Sequence, residues 1–417
     1  MRFAVTELRT LNTEHRTPKT EYRLLNTEHL LPMYKSLILI SFLILTRVSL
    51  SQTDSLLCQG DYWTEDEANV MMKKFAGEWN DIASWQRRAS IIKQNIIRGM
   101  HLENMPEIQG NFNPIIRNTR KFDGYFVENI AIESFPGFYI TGNLYRPIHE
   151  NKRHAAIICT HGHWDQGRVM DDTQKLCAVF ARMGAVVFAL DMIGYGNSGQ
   201  TSHNMPIALL LQTWNNKRVL EYLISRSDVD NTRIGITGAS GGGTQTMMLT
   251  ALDDRIKASA PVVMVSAHFF GGCECESGMP IHRSAIHQTN NVEIAALCAP
   301  RPMLVVSDGA DWTRNTPLVE YPYIKRVYGL YNCEHKVENA HFPVEKHDYG
   351  YSKRKAVYFF FAHHLGLDIN TVPYNNCISE EFVTVLPGDS LNVFTPVYPI
   401  PGDALKGDEA VMKYLGF

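Results

Sequence analysis

Short apolar runs alternate with longer stretches of helical periodicity along the middle of the chain. Each run holds four to six mostly apolar residues between polar or glycine positions. Buried parallel strands are continuous apolar runs, because both faces of such a sheet are covered. The pattern therefore predicts parallel strands at Ala155–Cys159, Ala185–Leu190, Ile234–Thr237, Ala260–Val265 and Met303–Val306.

The segments between these runs are long enough for crossover helices. A strand followed by a helix and then by a parallel strand implies one sheet with helices packed on it. The predicted fold class is α/β, with three layers, a mostly parallel central sheet and helices on both faces. The predicted helices cover Asp172–Met183, Ile207–Ser225, Gly243–Leu252 and Lys353–Leu365.

The pattern changes on either side of this region. Thr64 and Glu67 have capping-box spacing, and a helical stretch follows as far as Met100. Residues 125–134 and 138–147 alternate as two antiparallel strands would. Beyond residue 368 the chain is rich in proline and has little periodicity before a short last helix. We expect a helical lead at 52–120 packed on the core, an α/β domain at 121–368 and a surface-wrapping tail at 369–417.

The first residues do not have the pattern of a folded domain. The string LNTEH occurs at 11–15 and again at 25–29, without periodic apolar positions. Lys35, the apolar run Leu37–Leu45 and the small residue Ser51 then follow the order of a secretory signal peptide. We expect residues 1–32 to be a non-native upstream extension, residues 33–51 to be a signal peptide, and the mature protein to be secreted or periplasmic.

Composition narrows the possible partners. The 417 residues carry a formal net charge of −3, which is too weak to argue for nucleic acid or a membrane surface. We therefore expect no nucleic-acid partner and no stable membrane association after signal cleavage. The chain has eight cysteines but no Cys-x-x-Cys pair of the zinc type.

The string Gly238-Ala239-Ser240-Gly241-Gly242 fits G-x-S-x-G between a predicted strand and a predicted helix. In that context the motif places a serine on a sharp strand-to-helix turn with its hydroxyl exposed above the sheet. The alternative, a phosphate-binding glycine turn, lacks the P-loop lysine and the dinucleotide-binding spacing. Ser240 is therefore the candidate nucleophile, and the backbone N–H of Gly241 is a candidate oxyanion donor.

A serine nucleophile of this kind is followed along the chain by an acid and then by a histidine. Asp308 and Asp311 both follow the predicted strand Met303–Val306. Asp311 is favoured because it lies clear of the strand end, whereas Asp308 could cap the turn. His347, which precedes the last predicted domain helix, is the candidate base, and His341 is the alternative.

The loop that starts at His161 follows the strand Ala155–Cys159 and reads HGHW. In this kind of site the second oxyanion donor comes from such a loop, and the N–H of His163 or Trp164 would serve. The side chains of Trp164 and Arg168 are candidates for lining the substrate pocket. For Arg168, a structural ion pair is the alternative.

A second loop, with Cys273, Cys275 and Glu276, follows the strand Ala260–Val265. Together with the two histidines of the HGHW loop it raises a metal site as a possibility. We expect none, because zinc sites usually space cysteines by two to four residues and a Cys-x-Cys pair would splay the thiols apart. We expect instead a loop that shapes the pocket, with Glu276 bound by a nearby arginine or backbone donors, or pointing into the cleft to bind sugar hydroxyls.

These motifs, together with "APRPMLVVSDGADWTRNTP" and "EKHDYGYSKRKAVYFFF", resemble the acetylxylan-esterase-like group of the α/β hydrolases, especially its exported bacterial members, over Thr64–Leu367. The resemblance implies the α/β-hydrolase fold and a carbohydrate ester as substrate. It also implies the site residues Ser240, Asp311 and His347, with Gly241 and His163 as oxyanion donors. The chain departs from the group at Ser277, where asparagine often follows the Cys-Glu pair.

We therefore expect an exported serine hydrolase of carboxylic esters that needs no cofactor. Acetyl groups on a plant or algal polysaccharide or oligosaccharide are the first candidate substrate. The alternatives are a pectin or uronate methylesterase, a peptidase or lipase with the same triad, and a binding protein with a vestigial triad.

Overall fold

A computed structural model describes residues 56–107, 110–148, 152–373 and 377–417. The expected upstream extension at 1–32 and signal peptide at 33–51 lie outside the described residues, so both stay predictions. Within the described ranges, no helix is both long and apolar enough to cross a membrane.

One sheet of nine strands organises the described residues, in the order β1-β2-β3-β5-β4-β6-β7-β8-β9. The first three strands and β5 pair antiparallel, and all pairs from β5 across to β9 are parallel. The strands are β1 Ile115–Lys121, β2 Tyr125–Phe135, β3 Phe138–Pro147, β4 His154–Thr160, β5 Ala185–Leu190, β6 Val229–Ala239, β7 Ala258–Val262, β8 Met303–Asp308 and β9 Val337–Phe342.

Helices cover both faces of this sheet. On β4, Ile157 and Cys159 pack in the cluster that includes residues of the helices Asp171–Arg182 and Tyr351–Leu365. Ala156 and Ile158 pack in the cluster that includes residues of the helix Ala208–Ser225. Neighbouring side chains of one strand thus enter opposite layers. The helices are α1 Glu65–Gly77, α2 Ile82–Gly99, α3 Asp171–Arg182, α4 Ala208–Ser225, α5 Gly241–Leu252, α6 Glu274–Ser277, α7 Asn291–Ala296, α8 Glu320–Leu330, α9 Tyr351–Leu365 and α10 Asp408–Leu415.

The predicted α/β fold class is confirmed, and each predicted strand and crossover helix has its counterpart. Several boundaries differ from those predicted. The strand predicted at Ala260–Val265 ends at Val262, and the next residue, Val263, has a positive φ of 45°, which is outside the extended region of a strand. Strand β1 lies in the region where a helical lead was expected. Its sequence, IIRNTRK, is mostly polar, as suits an edge strand, so no run of apolar residues predicted it.

The first two helices pack against the β8–β9 side of the domain. Thr64 caps α1 with the predicted capping box, in which its hydroxyl accepts from the Glu67 N–H. On α2, Arg88 reaches Glu293 of α7 at 2.5 Å, and the two side chains are 8% and 0% exposed. An ion pair this deeply buried tolerates the loss of neither partner, since the remaining charge would be stranded in an apolar setting.

Replacing Arg88 with alanine therefore destabilises the protein, by about 3–5 kcal/mol in the free energy of unfolding. The matched control is Arg314→Ala, because Arg314 pairs with Glu65 where the side chains are 53% and 39% exposed. That change costs about 1 kcal/mol or less. Urea unfolding followed by circular dichroism measures both, and equal losses would contradict the role given to the buried pair.

Candidate active site

The register of the parallel strands brings the candidate residues to one edge of the sheet. Thr160 at the end of β4 pairs with Gly238 of β6, and Ala239 pairs with Val262 at the end of β7. The carboxyl ends of parallel strands share an edge, so the loops that leave them meet there. The loops after β4, β6, β7, β8 and β9 hold all the residues predicted to form the site.

Ser240 occupies a strained turn between β6 and α5. Its φ of 57° and ψ of −124° lie in a region that non-glycine residues rarely adopt. Hydrogen bonds hold it there: its N–H donates to the Val262 carbonyl at 3.0 Å, and its carbonyl accepts from the N–H of Gly243 at 2.7 Å. The backbone of Ser240 is thus fixed by the next strand and by the first turn of the helix.

The glycines beside Ser240 are required by the neighbouring strand. A Cβ at Gly242 would lie 2.8 Å from the carbonyl carbon of Thr160, and one at Gly238 would collide with the Thr160 side chain. Real Cβ contacts do not come so close, so a side chain at either position would push β4 away from the turn. This packing accounts for the glycine two residues before and two residues after the serine.

His347 and Asp311 are directly hydrogen bonded. The Nδ1 of His347 lies 2.5 Å from Asp311 Oδ2, and the other carboxylate oxygen accepts from both the N–H and the hydroxyl of Thr313 at 2.6 Å. A carboxylate can only accept, so Nδ1 carries the proton and Nε2 keeps its lone pair. This is the tautomer that a general base facing a serine needs.

Asp308 has a different partner. It is fully buried and lies 3.1 Å from the Nζ of Lys353 on α9. Burial raises the pKa of the Asp308 carboxyl, as does the nearby Asp311, while Lys353 opposes both. Lys353 also binds Asp348 at 2.9 Å and the Lys346 carbonyl at 2.6 Å. Asp308 and Lys353 therefore hold the loop that carries His347.

The alternative base, His341, lies on β9, and its Nδ1 is 2.9 Å from the hydroxyl of Ser307 on β8. It is thus part of the pairing between β8 and β9. Of the two candidate pairs, the structure brings together Asp311 and His347.

Trp164 joins the serine side of the site to the histidine side. Its ring stacks on His347, with the ring centroids 6.1 Å apart. Gly162 lies between this ring and Ser240, since a Cβ at Gly162 would contact the ring and would lie 2.9 Å from the Cβ of Ser240. Among the described residues, the hydrogen bonds include none between Ser240 and His347. Catalytic hydrogen bonds are often long without substrate and shorten when it binds.

His161 fixes the loop that carries the predicted oxyanion donor His163. Its Nδ1 donates to the Gly162 carbonyl at 2.8 Å, and its Nε2 accepts from the Met192 N–H at 2.9 Å. Burial lowers the pKa of His161 to about 4, which keeps the ring neutral and suited to this pair of bonds. Across the site, Gly241 begins α5, and its N–H lies at the positive end of that helix.

Two predicted pocket residues, Arg168 and Glu276, are buried. Arg168 is 2% exposed, pairs with Asp191 at 2.8 Å and donates to Asn143, so the alternative of a structural ion pair describes it. Glu276 is 4% exposed and accepts from the Gly272 N–H at 2.7 Å. That bond fulfils the expectation of a backbone donor for the buried Glu276 carboxylate.

The expectation that Cys273 and Cys275 would be splayed apart is wrong. Their Sγ atoms are 3.0 Å apart, because the chain turns into the short helix α6 between them. Two histidine nitrogens lie in the same place: the Nε2 of His163 is 3.2 Å from each sulfur, and the Nε2 of His203 is 3.6 Å from Cys273. The bond from the Cys275 thiol lowers the pKa of Cys273, and both rings add to the effect.

Sequence reasoning missed His203. It lies alone in the loop after β5, far along the chain from the other members, so no spacing motif includes it. The available signal was topological: the loops after β4, β5 and β7 all leave the same edge of the sheet.

Comparison with known proteins agrees with this architecture. The model of the prolyl oligopeptidase family matches residues 172–268. Methylesterase BT1017, a solved structure, is 41% identical, with a TM-score of 0.79 over 84% of this chain and 79% of that one. The chain belongs to the α/β-hydrolase superfamily, in the same family as that methylesterase. The α/β-hydrolase fold therefore applies to the whole described domain.

Two further matches are more distant. A glucuronoyl esterase from Solibacter usitatus is 15% identical, with a TM-score of 0.50 over 68% of this chain and 94% of that one. The uncharacterized protein YcjY of Escherichia coli (strain K12) is 31% identical over 134 residues, which are 31% of this α/β hydrolase. The match spans only 42% of the length of that curated relative.

A fluorophosphonate probe should label Ser240, because such probes react with a serine whose hydroxyl is activated by a neighbouring base. Ser240→Ala abolishes the labelling, whereas Ser390→Ala, in the 3-10 turn Gly388–Leu391 of the C-terminal tail, leaves it unchanged. Peptide mass spectrometry locates the adduct. An intact, folded protein that takes up no probe would favour the binding protein with a vestigial triad.

Proposed function

We propose that this α/β hydrolase is a serine carboxylic-ester hydrolase. The observation that carries the proposal is the 2.5 Å hydrogen bond between His347 and Asp311 on the same sheet edge as the strained Ser240 turn. A free imidazole nitrogen, a buried carboxylate and a serine held above a helix N-terminus are the groups that acyl transfer needs.

In the proposed reaction, His347 Nε2 takes the proton of the Ser240 hydroxyl as its oxygen attacks the ester carbonyl carbon. Asp311 holds the ring and stabilises the imidazolium that forms. The N–H groups of Gly241 and His163 bind the oxyanion, and the imidazolium then gives its proton to the departing alcohol. Water, deprotonated by His347, hydrolyses the acyl-enzyme and restores Ser240.

The proposed substrate is a carbohydrate ester. The methyl ester of a uronic acid is the first candidate, since the relative at 41% identity is named a methylesterase. An acetyl ester is the second candidate, supported by the motif resemblance of the chain to acetylxylan esterases. The two differ in what remains on Ser240: the sugar acid for a methyl ester, and only the acetyl group for an acetyl ester. Secretion or export to the periplasm is part of the proposal and rests on residues 33–51.

Product analysis distinguishes the two substrates. We expect methanol from methyl-esterified pectin and little acetate from acetylated xylan; the reverse result would make the protein an acetylesterase. Ser240→Ala, which removes the nucleophile, should lower kcat for either substrate by roughly 10⁵-fold while the folded protein is retained. The mechanism would be contradicted if Ser240→Ala still hydrolysed both polysaccharides and p-nitrophenyl acetate.

The two aspartates should separate in kinetics. Asp311→Asn leaves the ring without its carboxylate and lowers kcat by roughly 10⁴-fold, with a small change in KM. Asp308→Asn acts through Lys353, so its main effect is a loss of stability of a few kcal/mol, as expected for one broken buried pair. Steady-state kinetics measures kcat and KM, and urea unfolding measures the stability, of the Asp311→Asn and Asp308→Asn variants. A larger kcat loss in Asp308→Asn would reverse the assignment.

A further inference from the structure

The side chains of His163, His203, Cys273 and Cys275 converge beside the active site. One ligand atom from each, two imidazole Nε2 and two Sγ, lies within 4.8 Å of all the others. We propose that these four residues, the four-ligand cluster, bind one zinc ion.

The distances suit a tetrahedral metal ion. The closest pairs are the two Nε2 atoms at 3.0 Å and the two sulfurs at 3.0 Å. Three sulfur–nitrogen pairs lie at 3.2–3.6 Å, and the fourth, between His203 and Cys275, lies within 4.8 Å. Zinc bonds of about 2.3 Å to sulfur and about 2.0 Å to nitrogen would hold such atoms roughly 3.3–3.8 Å apart. The five pairs at 3.0–3.6 Å each need to change by less than about 1 Å to accept the ion.

The histidine of the β5 loop is already oriented as a ligand. The Nδ1 of His203 lies 2.7 Å from the Ile193 carbonyl, which can only accept, so Nδ1 carries the proton. The lone pair of Nε2 therefore faces the other three ligands. A backbone carbonyl that fixes the tautomer of a ligating histidine in this way is the usual outer partner in zinc sites.

The donor set selects the ion. Two sulfurs and two imidazole nitrogens in a near-tetrahedral arrangement suit Zn²⁺, whereas Mg²⁺ and Ca²⁺ prefer oxygen ligands. Four protein ligands complete the coordination of zinc and leave no place for a reacting water, which is the pattern of a structural site. The proposed ester hydrolysis therefore does not run through this ion.

The site joins three separate loops. His163 follows β4, His203 follows β5, and the two cysteines lie after β7 in and next to α6. The His163 ring also lies against the nucleophile turn, since a Cβ at Gly241 would be 2.6 Å from its Cε1. Resting on the proposed function, this contact gives zinc a positioning role: it fixes the loop whose N–H groups bind the oxyanion.

Metal content of the purified full-length protein tests the proposal directly. Inductively coupled plasma mass spectrometry should find one zinc per chain in the wild type, and none in Cys273→Ser or His203→Asn. The matched controls, Cys377→Ser and His335→Asn, change the same residue types at exposed positions and should keep the metal. Equal zinc in all five proteins would overturn the proposal.

Two further measurements keep the test valid if a variant folds poorly. Cobalt substitution of the wild type should give thiolate-to-metal charge-transfer absorption and the intense visible bands of tetrahedral Co²⁺. Removal of zinc with a chelator should lower the thermal midpoint, because an ion bound only by the native state stabilises it. A wild-type protein without metal would refute the site. This holds whether mass spectrometry finds Cys273 and Cys275 as free thiols or joined in a disulfide.

Metal content and turnover also separate this proposal from the proposed function. One zinc per chain in a protein that hydrolyses no ester supports the site while the function fails. Ester hydrolysis at full rate by a protein that never binds metal supports the proposed function while the zinc site fails.

Discussion

The close contact between the end of β4 and the turn at Ser240 is the constraint on which the site depends. The Thr160 hydroxyl donates to the Gly242 carbonyl at 2.8 Å, a distance possible only because no side chain stands at Gly238 or Gly242. That contact puts the HGHW loop beside the nucleophile turn. The candidate oxyanion donors, the Trp164 ring and one ligand of the four-ligand cluster all take their positions from it.

Much of this could be predicted from sequence because the decisive signals are local. The apolar runs predict the parallel strands. The glycines around Ser240 lie within five consecutive residues, at positions where a side chain would collide with the neighbouring strand. Asp311 and His347 could be proposed because loops after parallel strands share an edge, so their order along the chain limits the choice. The structure adds the reason for preferring Asp311: it is hydrogen bonded to His347, whereas the ammonium group of Lys353 engages Asp308.

What the sequence did not reveal are pairings between segments distant along the chain. Arg168 looked like a pocket residue because its loop borders the site, but its partner Asp191 follows a different strand, and the pair is buried. The spacing of Cys273 and Cys275 argued against a metal site, but the structure has a helical turn there that places the two sulfurs close together. His203 had no neighbour in sequence to mark it. Each of these cases depends on side-chain direction, which strand order alone does not fix.

The buried Lys353 has a consequence for how the protein matures. This ammonium group belongs to α9, one of the last helices of the chain, yet it holds the loop that presents His347. The serine turn belongs to segments that leave the ribosome well before α9 does. The site that holds Ser240, Asp311 and His347 is therefore complete only after α9 has been synthesised and Lys353 has engaged the loop of His347.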